Sequence, residues 1–341
     1  MNRKNFIASM VTAGAVLSGA EGWAADKSLE NNAKIKVPPY LKSGDKIGIT
    51  SPAGYISLEA IRPSVQLIQS WGYQVEVGHT IGKRDFTFGG TDEERLTDLQ
   101  QMLDDSDLKA ILCARGGYGL IRILDHLNFD EFVRHPKWLI GFSDITAIHC
   151  HLNQVYNIAS LHSKMCNSFP DDWSKAEPMQ ISTILSIRQA LAGENFNYAV
   201  TPSNFNRIGQ AEGVLIGGNL TMVETLIGTV SDLDTRGKIL FLEDTGEYLY
   251  RIDRMFWHLK RTEKLSNLAG LVIGGFKVTP DDVGSEFGMS VYDIILQKVK
   301  EYSYPVCFDF PVGHQKNNFA LKCGVKHVLN VQTSACSLQS L

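Results

Sequence analysis

The sequence is short of the features that mark several large functional classes. It has no clustered run of lysine and arginine, and its formal charge is −4, so it offers no basic face of the kind that nucleic-acid binders use. No CxxC pair occurs among the six cysteines, Cys113, Cys150, Cys166, Cys307, Cys323 and Cys336, which removes the common zinc and redox patterns. Cys113 and Cys307 sit inside apolar, strand-like runs, so the thiols read as small buried hydrophobes. His149 and His151 are two residues apart, which on a helix turns them to different faces rather than toward one ion. Neither a metal nor a cofactor is expected. Internal repeats and low-complexity segments are absent. What is left is an ordinary globular composition, 44% hydrophobic and 21% charged, in a chain of 341 residues that is long enough for two domains with substantial cores.

The first residues differ in kind from the rest. Arg3 and Lys4 precede an apolar segment from Phe6 to about Ala20, and the small residues Gly22 and Ala24 suit a cleavage site. The segment is short for a membrane anchor, which takes about 20 apolar residues. No cysteine lies near the cleavage region, which argues against a lipoprotein. Residues 1–24 read as an export signal, with Ala20 as a second cleavage point, and 25–37 as a polar linker. The mature chain is expected outside the cytoplasm, in the periplasm, with no stable membrane span after signal removal.

Beyond Val37, strand-like and helix-like stretches alternate. "DKIGIT", "YQVEVG", "LKAILCAR" and "KWLIGFS" read as strands, while 57–70, "TDEERLTDLQQMLDD" with Thr91 as its cap, "LIRILDHL" and 145–156 read as helices. Such alternation predicts a parallel sheet covered on both faces, over 38–172. A connection with a helix near 178–191 occupies 173–205. A second α/β unit, 206–341, contains "AEGVLIGGNLTMVETLIGT", "GKILFLEDTGEYLYRIDRMFWHLKR", "LAGLVIGGF", a helix near 289–302, "PVCFDFPVGH" and "KHVLNV".

Ligands of open α/β sheets bind at the carboxyl ends of the strands, where "SPAG" (51–54), "RGGYG" (115–119) and "GFSD" (141–144) fall. Ser143 therefore has two readings. It caps the helix that follows, or its hydroxyl is exposed on a sharp strand-to-helix turn as a nucleophile, and the local sequence does not choose between them. A nucleophile needs an oxyanion hole, a base and an orienting acid. The N–H of Asp144 and the Gly116–Gly117 turn could supply the hole. "RGGYG" lacks the P-loop lysine and the dinucleotide spacing, so phosphate binding is the weaker reading. Glu243 stands at the end of the apolar run "KILFLE", whereas Asp244 and Glu247 read as solvated turn acids. His314 follows a strand and a Pro-Val-Gly turn. Trp138, Trp173 and Trp257 fit a core at least as well as a site.

At "ARGGYG", "GFSDITAIH", "GGNLTMVETLIGT", "FLEDTGEYLYRIDRM" and "GH", the chain resembles the LD-carboxypeptidase family of serine peptidases, which also includes microcin C immunity peptidases. The match runs in order from about Lys46 to Val331. The resemblance implies an N-terminal, flavodoxin-like parallel-sheet domain carrying the nucleophile. A second, smaller α/β domain would carry the acid and base, with the site in the cleft between the two. It implies Ser143 as nucleophile, Glu243 as acid, His314 as base, and the N–H groups of Asp144 and Gly117 as the oxyanion hole. The implied reaction is hydrolysis of an L,D-peptide bond, releasing D-alanine from a muropeptide or peptidoglycan stem, by a homodimer. Arg251 and Arg254 are candidates for the substrate carboxylate, against an ion pair with Asp253 on a helix surface. The segment "SLHSKMCNSF" departs from the family's "HGPM"-like run, with Ser163-Lys164 in place of Gly-Pro. Two other readings remain open: cleavage of a peptide–nucleotide antibiotic conjugate, and a non-catalytic exported binding protein.

Overall fold

The computed structural model describes residues 35–341, so the expected export signal lies outside the described residues. In chain order the first half comprises β1 (Lys46–Thr50), α1 (Leu58–Ser70), β2 (Gln74–Val77), α2 (Asp92–Asp104), β3 (Leu108–Cys113), α3 (Asp130–Arg134), β4 (Trp138–Gly141), α4 (Thr146–Val155) and β5 (Ser160–His162). Then come α5 (Pro178–Leu191), β6 (Asn197–Val200), β7 (Gly209–Asn219), α6 (Leu220–Thr225), β8 (Ile239–Thr245), α7 (Leu249–Arg261), β9 (Gly270–Lys277), α8 (Val291–Val299), β10 (Val306–Cys307), β11 (Leu321–Cys323), β12 (Lys326–Val331) and β13 (Cys336–Ser340). Helix α2 begins where its sequence says it should. The Thr91 hydroxyl accepts from the Glu94 N–H and the Glu94 carboxylate from the Thr91 N–H, satisfying two free donors of the first turn.

Two sheets result. The first has the order β11-β5-β4-β3-β1-β2 and is parallel except where β11 joins β5. The second runs β10-β9-β8-β7-β12-β13-β6, parallel over its first four strands and antiparallel over the rest. The expected boundaries are crossed twice. The connection 173–205 contributes β6 to the edge of the second sheet, and β11, from the C-terminal half, extends the first. A single hydrophobic cluster joins Leu139, Ile145 and Ile148 to Ile216, Leu220 and Leu242, and α4 packs on β7 and α6. The carboxyl ends of β4 and β8 are thereby fixed relative to each other by packed side chains, which deform little.

Two expected elements are shorter than the pattern suggested. "LIRILDHL" forms 3-10 turns at Leu120–Arg122 and Leu124–His126 rather than an α-helix, because the chain enters from Gly119 at φ +139° and the Leu120 N–H is taken by Asp144. "PVCFDFPVGH" is strand only at Val306–Cys307, the run being broken by Asp309 at φ +57° and by Pro311. All six cysteines are buried free thiols.

Three histidines are wholly enclosed. His149 donates through Nε2 to the Gly141 carbonyl at 3.0 Å, His327 through Nδ1 to the Val325 carbonyl at 2.9 Å, and His162 lies against the rings of Phe142 and Phe241. Burial draws His149 and His327 down to about 4 and His162 well below its ordinary value. Unfolded histidine binds its proton near pH 6.5, so the unfolded state gains protons first on acidification, and stability is lost as pH falls from 6.5 toward 4. The contribution is on the order of 3 kcal/mol each for His149 and His327. Thermal melts between pH 7 and 4.5 should show a steep fall in Tm over that window. A flat profile would mean these imidazoles are solvated or paired.

Candidate active site

Strand β4 is buried along its whole length and ends in a turn under backbone strain. Phe142 is extended, and Ser143 takes φ +63°, a left-handed conformation that costs a non-glycine residue about 1–2 kcal/mol. Such strain persists only where the surroundings over-determine it, and it concentrates at functional sites. A 3-10 turn, Ser143–Ile145, then runs into α4, and no side chain caps either segment's N-terminus. The capping reading of Ser143 is therefore not realised. The Asp144 carboxylate reaches away instead, accepting from the Leu120 N–H at 2.8 Å and tying the Ser143 turn to the glycine turn after β3.

That glycine turn is built to touch Ser143. A Cβ on Gly116 would lie 3.0 Å from Ser143 Cβ and 3.3 Å from its Oγ. The Gly116 carbonyl accepts from the Gly54 N–H at 2.9 Å, so the trans Gly117 N–H of the same planar peptide points to the opposite side. The wholly buried Arg95 locks both loops, donating to the Pro52 carbonyl at 2.6 Å and the Gly119 carbonyl at 2.8 Å. "SPAG", "RGGYG" and "GFSD" thus meet at the ends of three adjacent strands, β1, β3 and β4.

The second sheet carries Glu243 and His314. Glu243 is fully buried at the end of β8, where the register with β9 slips by one residue opposite the Gly274–Gly275 pair. The Gly275 N–H donates to the Val312 carbonyl at 2.9 Å, drawing the segment after β10 alongside β9. His314 follows. Its Nδ1 lies 2.5 Å from Glu243 Oε2, and its backbone N–H donates to the same oxygen at 3.2 Å. Gly313 makes this possible: at φ +94°, a Cβ there would come 2.4 Å from Glu243 Cβ. The His314 ring packs on Phe142, with centroids 4.9 Å apart, which sets it against the residue preceding Ser143. A hydroxyl on a strained turn, a carboxylate-oriented imidazole packed on the residue before it, and a glycine turn against it are the residue types that serine acyl transfer uses.

The structure brings Ser143, Asp144, Gly117, Glu243 and His314 to this junction. Arg251 instead pairs with Glu247 at 3.4 Å, and Arg254 lies over the Tyr250 ring, both on the exposed face of α7. The expected partner Asp253 binds Lys298. Asp244 is not a solvated turn acid: it is buried and accepts from Asn219 Nδ2, the Thr221 N–H and the Thr221 hydroxyl at 2.9–3.0 Å, fixing the start of α6. Trp138 is core and Trp257 is exposed. The sequence reading missed Asn318, whose Oδ1 holds the Gly313 N–H at 2.8 Å, and Arg95. It also left unassigned Lys164, whose ammonium donates to the Gln315 carbonyl at 2.8 Å. The Asn pair in "GHQKNN" was the available signal for Asn318.

Family models give the deciding match: an LD-carboxypeptidase N-terminal domain over residues 47–163 and its C-terminal domain over 212–329. The chain belongs to the LD-carboxypeptidase family. This LD-carboxypeptidase is 31% identical to a probable murein peptide carboxypeptidase of Bacillus subtilis, over 89% of this chain and 94% of the relative. It is 28% identical to a murein tetrapeptide carboxypeptidase of Pseudomonas aeruginosa, over 83% and 92%. The crystal structure of a muramoyltetrapeptide carboxypeptidase from Oxalobacter formigenes superposes with a TM-score of 0.76 at 26% identity, over 86% of this chain and 98% of that one. The protein is a serine-type carboxypeptidase of α/β fold.

Two expectations follow for this carboxypeptidase. Gly313→Ala should displace the Glu243–His314 pair and lower kcat by about 100-fold or more, with circular dichroism unchanged. Unaltered kcat would show that the loop absorbs the methyl group. Burial pushes the Asp144 carboxyl up to about 6, the Leu120 N–H opposing, so the folded state holds this proton more tightly than the unfolded state between pH 3.8 and 6. Stability contributed by Asp144 therefore falls as pH rises through that window, and Asp144→Asn should raise Tm at pH 7.5 more than at pH 5. A lower Tm at pH 7.5 would mean that Arg95 holds the carboxylate ionised.

Proposed function

We propose that this enzyme releases D-alanine from muropeptide or peptidoglycan tetrapeptide stems through an acyl-enzyme on Ser143. The observation that carries the assignment of residues is the 2.5 Å bond between His314 Nδ1 and the buried Glu243 carboxylate, on an imidazole packed against Phe142. With Nδ1–H donated to Glu243, Nε2 is free to accept the Ser143 proton. The serine oxygen attacks the carbonyl of the L,D-peptide bond, and the N–H groups of Asp144 and Gly117 receive the developing oxyanion. His314 then passes its proton to the leaving amine, D-alanine departs, and water repeats the sequence to free the acyl group. Glu243 holds the tautomer and offsets the imidazolium charge in a site where burial strengthens the attraction. The substrate is the one named for the relatives in Bacillus subtilis and Pseudomonas aeruginosa. The same reading has the enzyme act in the periplasm, supported by the basic start and apolar segment of residues 3–20, and as a homodimer, supported by the family resemblance.

The chain beginning at Ala25 should release D-alanine from a purified muropeptide tetrapeptide, and its Ser143→Ala variant should lose kcat by a factor on the order of 10⁴ or more. A folded protein without release would remove the substrate assignment. Release by the alanine variant would remove the nucleophile.

A further inference from the structure

A pocket of about 380 Å³ is lined by Lys164, Ser168, Lys175, Glu177, Gln180 and Lys316, and Lys164 in its wall bonds the carbonyl of the residue after His314. Three of its six lining residues are cationic and one is anionic. Two of the cations sit at the rim in weak, exposed pairs, Lys316 with Glu177 at 3.2 Å and Lys175 with Asp172 at 3.1 Å, which an incoming anion can displace at little cost. Lys164 is different. Its side chain is mostly enclosed, and among the described residues it has no carboxylate partner; one of its three donors goes to the Gln315 carbonyl, a neutral acceptor. An enclosed ammonium held only by a carbonyl recovers little of its lost hydration, and it is stabilised by any anion that enters the pocket. Burial lowers its pKa, with Glu243 opposing.

The position of Lys164 indicates which anion. Its ammonium lies 5.9 Å from the Phe142 ring centroid, and His314 packs on the same ring; its backbone acceptor, Gln315, is the residue after His314. In a carboxypeptidase the leaving amine takes its proton from the histidine, and the carboxyl carbon of the released amino acid is only about 2.5 Å from that nitrogen. The receptor for the terminal carboxylate must therefore adjoin the histidine, as Lys164 does and as Arg251 and Arg254, paired or stacked on the exposed face of α7, do not. Lys164 also stands in the segment that departs from the family pattern.

We propose that Lys164, assisted by Lys316, receives the terminal carboxylate of the substrate and confines the enzyme to free C-termini; this rests on the carboxypeptidase reading above. The test separates the two. Binding of a muropeptide tetrapeptide ending in D-alanine, and of its C-terminal carboxamide, is measured by calorimetry on Ser143→Ala, Ser143→Ala/Lys164→Gln and Ser143→Ala/Lys316→Gln. The free acid should bind Ser143→Ala roughly tenfold to a hundredfold more tightly than the amide, the range of a charge-assisted hydrogen bond. That ratio should approach one in the Lys164 variant and fall partway in the exposed Lys316 variant, which cannot disturb the core. Equal binding of acid and amide by Ser143→Ala, or a ratio that survives both substitutions, would overturn the proposal. So would equal weakening of both ligands by Lys164→Gln, which would place another carboxylate on the lysine. D-alanine release by the intact enzyme without acid–amide discrimination would leave the carboxypeptidase reading standing and remove the lysine. Discrimination without release would do the reverse.

Discussion

Everything at this site depends on one close approach, the backbone of residue 313 lying against the side chain of Glu243. The fully buried carboxylate can orient His314 only if the loop carrying the histidine comes within van der Waals contact of the acid's own Cβ, and only a residue with no side chain permits that. Three further features hold the approach in place. The one-residue slip at Gly274–Gly275 moves the edge of β9 aside, the Gly275 N–H holds Val312, and Asn318 holds the Gly313 N–H. None of them touches a reacting atom, yet each limits how far the imidazole can drift, and a drift of about 1 Å is enough to cost two orders of magnitude in rate.

The Ser143 side is organised on a different principle. There the backbone is strained rather than merely close, and buried charge maintains the strain. Arg95 draws in the Pro52 and Gly119 carbonyls, and Asp144, after β4, holds the Leu120 N–H next to Gly119, so the turns after β1, β3 and β4 are cross-linked by polar groups removed from water. Ionic groups so enclosed gain little net stability, and their value lies in fixing one arrangement of loops that would otherwise have several. In a serine hydrolase that is the useful return, because oxyanion donors act by being in place before the charge develops.

Electrostatic context also separates the histidines. His149, His162 and His327 are as deeply placed as any residue in the protein, but their nearest polar partners are carbonyls or neutral groups, so they remain uncharged and structural. His314 has an ionisable carboxylate against one nitrogen and partial access to solvent at its edge. The same side chain is enclosed among carbonyls and rings in one place and set against a carboxylate in the other, and only the second setting offers the ring a charged partner.

How much was legible in the sequence follows from the range of the forces involved. Hydrophobic periodicity and residue type are local properties, and they placed most strands and helices of both halves, the Thr91 cap, and the carboxyl-end turns that carry Ser143 and Glu243. Residue types in a recurring order also pointed to Ser143, Glu243 and His314. The short strands β5, β6, β11 and β13 escaped, since three to five residues are too few for an alternation to stand out and take their identity from partners far along the chain. Only the tertiary structure decided that Asp144 reaches Leu120 instead of capping its own helix, that Asp244 is buried while Arg251 pairs with Glu247, and that Lys164 stands beside His314. Each of these depends on which segments meet across the two sheets, and burial and pairing of a charge are properties of that meeting rather than of any stretch of sequence.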